Sequence, residues 1–126
     1  MHELYKEHYV YELSNRNINC VEQIGSAVVF DLIRRSTTIE CENLITAKVV
    51  YNDVCERLLS DANFMMVKKF LVNLENVNEV KINENKIIVH YDSSATYVLC
   101  KNKEEAEILY KEIKNRLEMF KQLNCN

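Results

Sequence analysis

The chain repeats itself. Cys41 to Leu58, CENLITAKVVYNDVCERL, and Cys100 to Leu117, CKNKEEAEILYKEIKNRL, align without a gap at a spacing of 59 residues, from 41 to 100. In that register Cys41/Cys100, Asn43/Asn102, Ala47/Ala106, Tyr51/Tyr110, Arg57/Arg116 and Leu58/Leu117 are identical, while Val49/Ile108, Val50/Leu109 and Val54/Ile113 exchange one apolar side chain for another. The offset carries upstream through Asn17/Asn76, Asn19/Asn78, Val21/Val80 and Thr37/Thr96, with Ile18/Val77, Val28/Ile87, Val29/Ile88 and Ile39/Val98 alike. A match that survives turns and strands is not a by-product of helical composition. It predicts two copies of one supersecondary unit.

Periodicity says what that unit is. His8–Leu13, HYVYEL, alternates in the manner of a strand, and Asn15-Arg16-Asn17 supplies a turn. Ile18–Ile24 forms a second strand, stopped by Gly25-Ser26, where the only glycine of the chain stands. Ala27–Ile33 and Thr37–Cys41 make a hairpin about Arg34-Arg35-Ser36. From Asn43, a suitable N-cap, the period changes to helical, with Ala47, Tyr51, Val54 and Leu58 on one stripe. The second copy repeats the grammar with strands at Lys69–Leu74, Glu79–Ile82, Lys86–Tyr91 and Ala95–Cys100. A helix from Lys103 to Gln122 follows, its stripe being Ala106, Tyr110, Ile113, Leu117 and Phe120. Ala62–Leu71, ANFMMVKKFL, is an apolar run too short for periodicity to choose between helix and strand.

The expected fold class is α+β, a tandem duplication of a ββββα unit. A sheet with one helix covers one face only, so two such units pack as an internal pseudo-twofold dimer. At 126 residues the chain is expected to be a single compact domain, with internal repeats at about 8–60 and 67–123, because units of roughly 60 residues are marginal alone. In topology this resembles the Whirly domains and the purine-rich-element-binding repeats. That resemblance implies paired ββββα units and single-stranded nucleic-acid binding.

Composition narrows the partners. A net charge of −3 and a pI near 5.6 give no general attraction to phosphate backbones, so any nucleic-acid site has to be a local patch. No run approaches the roughly 18 apolar residues of a membrane span, and MHELYKEH at the start lacks the apolar core of a secretory signal. Five cysteines, Cys20, Cys41, Cys55, Cys100 and Cys125, form no C-x-x-C and no zinc-type spacing. Free thiols in the cytoplasm are the simplest account. His2, His8 and His90 share no ligand spacing, and one glycine leaves little from which to build a phosphate-cradling loop, so no catalytic residue, metal or cofactor is expected. Use of Asn, Lys and Ile without proline hints at an AT-rich bacterial or phage genome.

The remaining candidates are binding residues. Arg34 and Arg35 occupy a hairpin tip where the second copy has Ser93 and Ser94. They can contact phosphate or an acidic partner, or simply keep an edge solvated. Tyr9 and Tyr11, with Tyr5, can stack on bases, anchor a partner or fill a half-buried strand face. The function expected from these features is a non-enzymatic protein-interaction module, such as an adaptor, inhibitor or immunity-like protein, with homo-oligomerisation open to it. The alternative is a single-stranded nucleic-acid-binding protein.

Overall fold

The computed structural model describes the backbone of residues 15–124 and the side chains of 16–122. The described residues form two antiparallel sheets and two α-helices, an α+β architecture, in two compact units that divide at Asn73/Leu74. The strand expected at His8–Leu13 lies outside the described residues.

The first unit holds a five-stranded sheet of order β3-β2-β1-β5-β4 and helix α1. β1 (Ile18–Ile24), β2 (Ala27–Leu32) and β3 (Ser36–Glu40) form a meander. Gly25 makes the first turn tight because its φ of +59° carries no Cβ penalty. α1 (Leu44–Leu59) starts where Asn43 turns extended and its Oδ1 accepts the Thr46 N–H at 2.8 Å. Its buried face is Ala47, Val50, Val54, Cys55 and Leu58, packed on Val21, Val28 and Phe30 of the sheet. The ambiguous run resolves into a hairpin, β4 (Phe64–Val67) and β5 (Phe70–Asn73), turning at Lys68 with a φ of +54°. β5 pairs with β1 through Cys20↔Val72 and Val21↔Leu71. The Tyr51 hydroxyl fastens this hairpin to α1 by donating to the Lys69 carbonyl at 2.6 Å. Buried Asn73 adds a bond from Nδ2 to the Ile18 carbonyl at 2.8 Å.

The second unit is a three-stranded sheet, β6 (Glu79–Asn83), β7 (Lys86–His90) and β8 (Ala95–Leu99), with α2 (Lys103–Asn124) packed against β6 and β7. Val80, Val89 and Thr96 form one inward row and Ile82, Ile87 and Val98 the next. Ala106, Ile113 and Leu117 supply the buried stripe of the helix. The Tyr91 hydroxyl and Thr96 Oγ1, 3.0 Å apart, satisfy each other inside. Asn102 caps α2 as Asn43 caps α1, accepting the Glu105 N–H at 2.8 Å.

Element bounds recur at the offset seen in the sequence. β2, β3 and α1 begin at 27, 36 and 44, against 86, 95 and 103 for β7, β8 and α2, while β6 begins at 79, two residues later than the offset from β1 at 18 would place it. Short 3-10 turns at Asn15–Asn17 and Leu74–Asn76 obey it too. Loop bonds agree: Leu32 N–H to Arg35 O (2.8 Å) answers Tyr91 N–H to Ser94 O (2.9 Å), and Cys41 N–H to Ser26 O (2.9 Å) answers Cys100 N–H to Asn85 O (2.8 Å). One element departs from the expected grammar. The strand anticipated at Lys69–Leu74 as the opening of the second copy is β5, which hydrogen-bonds into the first unit's sheet. A tight turn after β4 makes antiparallel pairing with β4 the local choice, and β1 had a free edge to offer.

Candidate binding surface

Inward positions are apolar in both units, so the residues free to differ are those pointing outward. On the second sheet these form three cross-strand rows: Glu79–His90–Ala95, Lys81–Ile88–Tyr97 and Asn83–Lys86–Leu99. α2 covers the opposite face, and Tyr97 and Leu99 stay 60% and 68% exposed. An exposed tyrosine and leucine side by side on a strand, with Ile88 half-buried between Lys81 and Tyr97, make an apolar centre. Lys81, Lys86 and His90 surround it. The one carboxylate on this face, Glu79, sits 3.9 Å from Lys81 Nζ in an exposed pair that contributes little. The unit's other acids lie on α2 and in turns, among them Glu104, Glu105, Glu107, Glu112 and Glu118.

The corresponding face of the first sheet is its chemical opposite. Its rows are Cys20–Asp31–Ser36, Glu22–Val29–Thr38 and Ile24–Ala27–Glu40. Glu22 therefore stands where the second sheet has Lys81, Asp31 where it has His90, and Thr38 and Glu40 where it has Tyr97 and Leu99. Much of this face is also closed. Cys20, Met65 and Val72 are buried, Lys69 Nζ lies 3.9 Å from Glu22, and Asn19 Nδ2 donates to Asp31 at 3.3 Å.

Arg34 and Arg35 take the hairpin tip between β2 and β3, both exposed, as the sequence indicated. They belong to the first unit and share no sheet with the Lys81–Ile88–Tyr97 row. Tyr9 and Tyr11 lie outside the described residues. Tyr97 is the residue that sequence reading passed over. In ATYVL either Tyr97 or its neighbours can face outward, and only the pairing with Ile88 decides it.

The described thiols are shielded from solvent. Cys20, Cys55 and Cys100 are buried and Cys41 is half-buried, and none of the four is in a disulfide. Burial pushes the Cys55 thiol up, against the opposing hydrogen bond from Tyr51, and burial followed by the nearby Glu40 carboxylate raises Cys41. Burial likewise raises the Tyr51 phenol far above its ordinary range, with Cys55 adding to the effect. Among the described residues no group of three or more His, Cys, Asp or Glu side chains is placed to hold a metal ion. No helix among them is long and apolar enough to cross a membrane.

No known protein-family pattern matches this sequence, and no curated protein does. Among solved structures the fold is similar to the LytTr DNA-binding domain of a methyl-accepting/DNA response regulator from Bacillus cereus. That likeness has a TM-score of 0.51 at 12% identity over 74% of this chain and 80% of that one. At such identity the likeness is one of fold.

Proposed function

We propose that the protein is a non-enzymatic interaction module and that its contact surface is the outer side of the second sheet. The observation that carries this reading is the solvated row Lys81–Ile88–Tyr97 beside Lys86 and Leu99. An apolar centre with an aromatic anchor and a charged rim is the anatomy of a protein interface, and the lysines favour a partner with acidic residues around an apolar patch. The recurrence of bounds and bonds at one offset supports a duplicated unit, with the expected pseudo-twofold pairing of the halves part of the same proposal. In such a duplication, divergence confined to outward positions marks where a new role was acquired.

A second reading, single-stranded nucleic-acid binding, draws on one specific observation: the structural neighbour is described as a DNA-binding domain. Tyr97 offers one stacking face and Lys81 and Lys86 two phosphate contacts. The protein reading is preferred because a lone tyrosine beside Ile88 and Leu99 suits a side-chain partner better than a run of bases.

Capture from an extract with the intact chain as bait, repeated with Tyr97→Thr/Leu99→Glu, tests the first reading. A partner retained by the chain and weakened at least tenfold by the double variant is the expected result, since loss of an aromatic anchor costs about 2 kcal/mol or more. A partner held equally by both baits contradicts it. Oligo-dT titration at rising salt separates the second reading. Micromolar binding at physiological salt, weakened by Lys81→Glu, establishes nucleic acid as the ligand instead.

A further inference from the structure

The second sheet ends in a strand that lacks the usual defences of an edge. Among the described residues β8 has β7 on one side and is last in its sheet. Exposed strand edges are ordinarily blunted by a charge, a proline or a bulge. β3 carries Glu40, and β6 alternates Glu79 and Lys81. β4, at the far edge of the first sheet, is largely buried. β8 is Ala95-Thr96-Tyr97-Val98-Leu99, uncharged and in regular register with β7 throughout, and its outward side chains are among the most exposed apolar groups of the protein.

The hydrogen-bonding phase of this edge is fixed. The Cys100 N–H donates to Asn85 and the Ser94 carbonyl accepts from Tyr91, so the even-numbered positions of β8 bond toward β7. Ala95, Tyr97 and Leu99 then direct their N–H and C=O groups off the edge. A strand added there in antiparallel sense must pair with those residues.

We infer that the occupant of this edge is β8 of a second copy of the chain, paired antiparallel about a twofold axis at Tyr97. This rests on the proposed contact surface and says how that surface is completed. The phase sets odd-numbered positions against odd-numbered ones, and an axis at Tyr97 is the choice that pairs the whole five-residue strand: Tyr97 opposes Tyr97, Ala95 opposes Leu99, and Thr96 opposes Val98, each copy to copy. Every one of these pairs is uncharged, so the strand is complementary to itself, as an isologous contact requires. The Lys81–Ile88–Tyr97 row thereby continues across the axis into its own image, which joins two half-surfaces into one outer face with lysines at its margins.

Sedimentation of the full chain across low to high micromolar concentration tests this. The mass should double. Tyr97→Lys, which sets two ammonium groups against each other at the axis, should hold the mass at one copy, whereas Thr38→Lys at the corresponding place on β3 should leave the doubling intact. Because Tyr97 is exposed, the lysine is tolerated by the monomer, and circular dichroism checks that it folds. Tyr97→Cys gives an independent readout. Hydrogen-bonded partners in an antiparallel pair stand about 5.5 Å apart between Cα atoms, within disulfide reach, so mild oxidation should link Tyr97→Cys/Cys125→Ser into covalent dimers while Cys125→Ser alone stays unlinked. A single-copy mass at every concentration overturns the inference, as does a doubled mass that Tyr97→Lys leaves unchanged. If the mass stays single while Tyr97→Thr/Leu99→Glu still abolishes capture of another protein, the inference fails and the contact surface stands. If the mass doubles through Tyr97 but capture ignores the double variant, the inference stands and the surface reading fails.

Discussion

Position for position, the two sheets agree inside and disagree outside. Val21 and Val80, Val28 and Ile87, Phe30 and Val89, and Thr37 and Thr96 face inward in both, under helices capped by Asn43 and Asn102 with the same 2.8 Å bond. Outward, Glu22 answers Lys81, Asp31 answers His90, and Thr38 and Glu40 answer Tyr97 and Leu99. Packing and capping constrain the inner set, since a core at crystal-like density tolerates little change of volume. Nothing of that kind holds the outer set. The first sheet carries a hairpin on its β1 edge, and the second has an apolar, basic outer face.

The comparison breaks most visibly if the inner sets are not equivalent. Phe30→Ala in the first unit should cost about 3–5 kcal/mol, and Ile113→Ala in the second about 2–5 kcal/mol, by urea denaturation. Both side chains are at most 1% exposed. A loss below about 1 kcal/mol at either site would show that its unit does not depend on the packing described.

The helix caps give a finer test. Asn43→Ala and Asn102→Ala should each cost about 1 kcal/mol, because each removes one acceptor from a first-turn N–H at the same distance. Costs that differ severalfold would mean that the repeated geometry hides unequal roles.

Tyr51 and Tyr110 sharpen the comparison where the two units differ. Tyr51 donates to Lys69 and anchors the β4–β5 hairpin, whereas Tyr110 has the Lys114 ammonium 6.0 Å over its ring. Tyr51→Phe should cost about 1 kcal/mol, and Tyr110→Phe much less. The pH dependence follows from the same neighbourhood. Cys55 and Tyr51 are raised in the folded state from ordinary values of 9.0 and 10.0. Their neutral forms contribute stability that is full below about pH 9 and falls as alkali ionises the unfolded chain first. Unfolding midpoints should decline above pH 9, and less so in Tyr51→Phe.

The smallest expected effect is at the paired turns. Gly25 and Glu84 are equivalent and share φ values of +59° and +56°. Gly25→Ala should destabilise by about 1 kcal/mol, and Glu84→Gly should stabilise by a few tenths, the strain of a side chain at positive φ being larger than the entropy glycine brings. Like signs for the two changes would break the equivalence of the turns.

Much of this fold was legible because residues 59 apart carry matching local signals. The helical stripes, both caps and the Gly25 turn were each visible in local spacing, and Arg34-Arg35 does occupy the tip of its hairpin. What escaped depended on long-range pairing. Lys69–Leu74 has strand chemistry, but nothing in it specifies that Val72 will bond to Cys20 rather than within its own repeat. The Ala62–Leu71 run hid its turn because Lys68 adopts positive φ without a glycine or asparagine to announce it. Tyr97 escaped for a related reason. Its outward direction is set by the β7 register, which alternation within five residues does not determine.

The claim at the centre of this account is that contacts are made by the outer side of the second sheet and not by its counterpart on the first. Site-specific incorporation of a photo-crosslinking residue at position 97, and separately at position 38, tests it most directly. Adducts from position 97, whether to a second copy or to another protein, with none from position 38, are the predicted result. Adducts from position 38 alone, or equally from both, would contradict it.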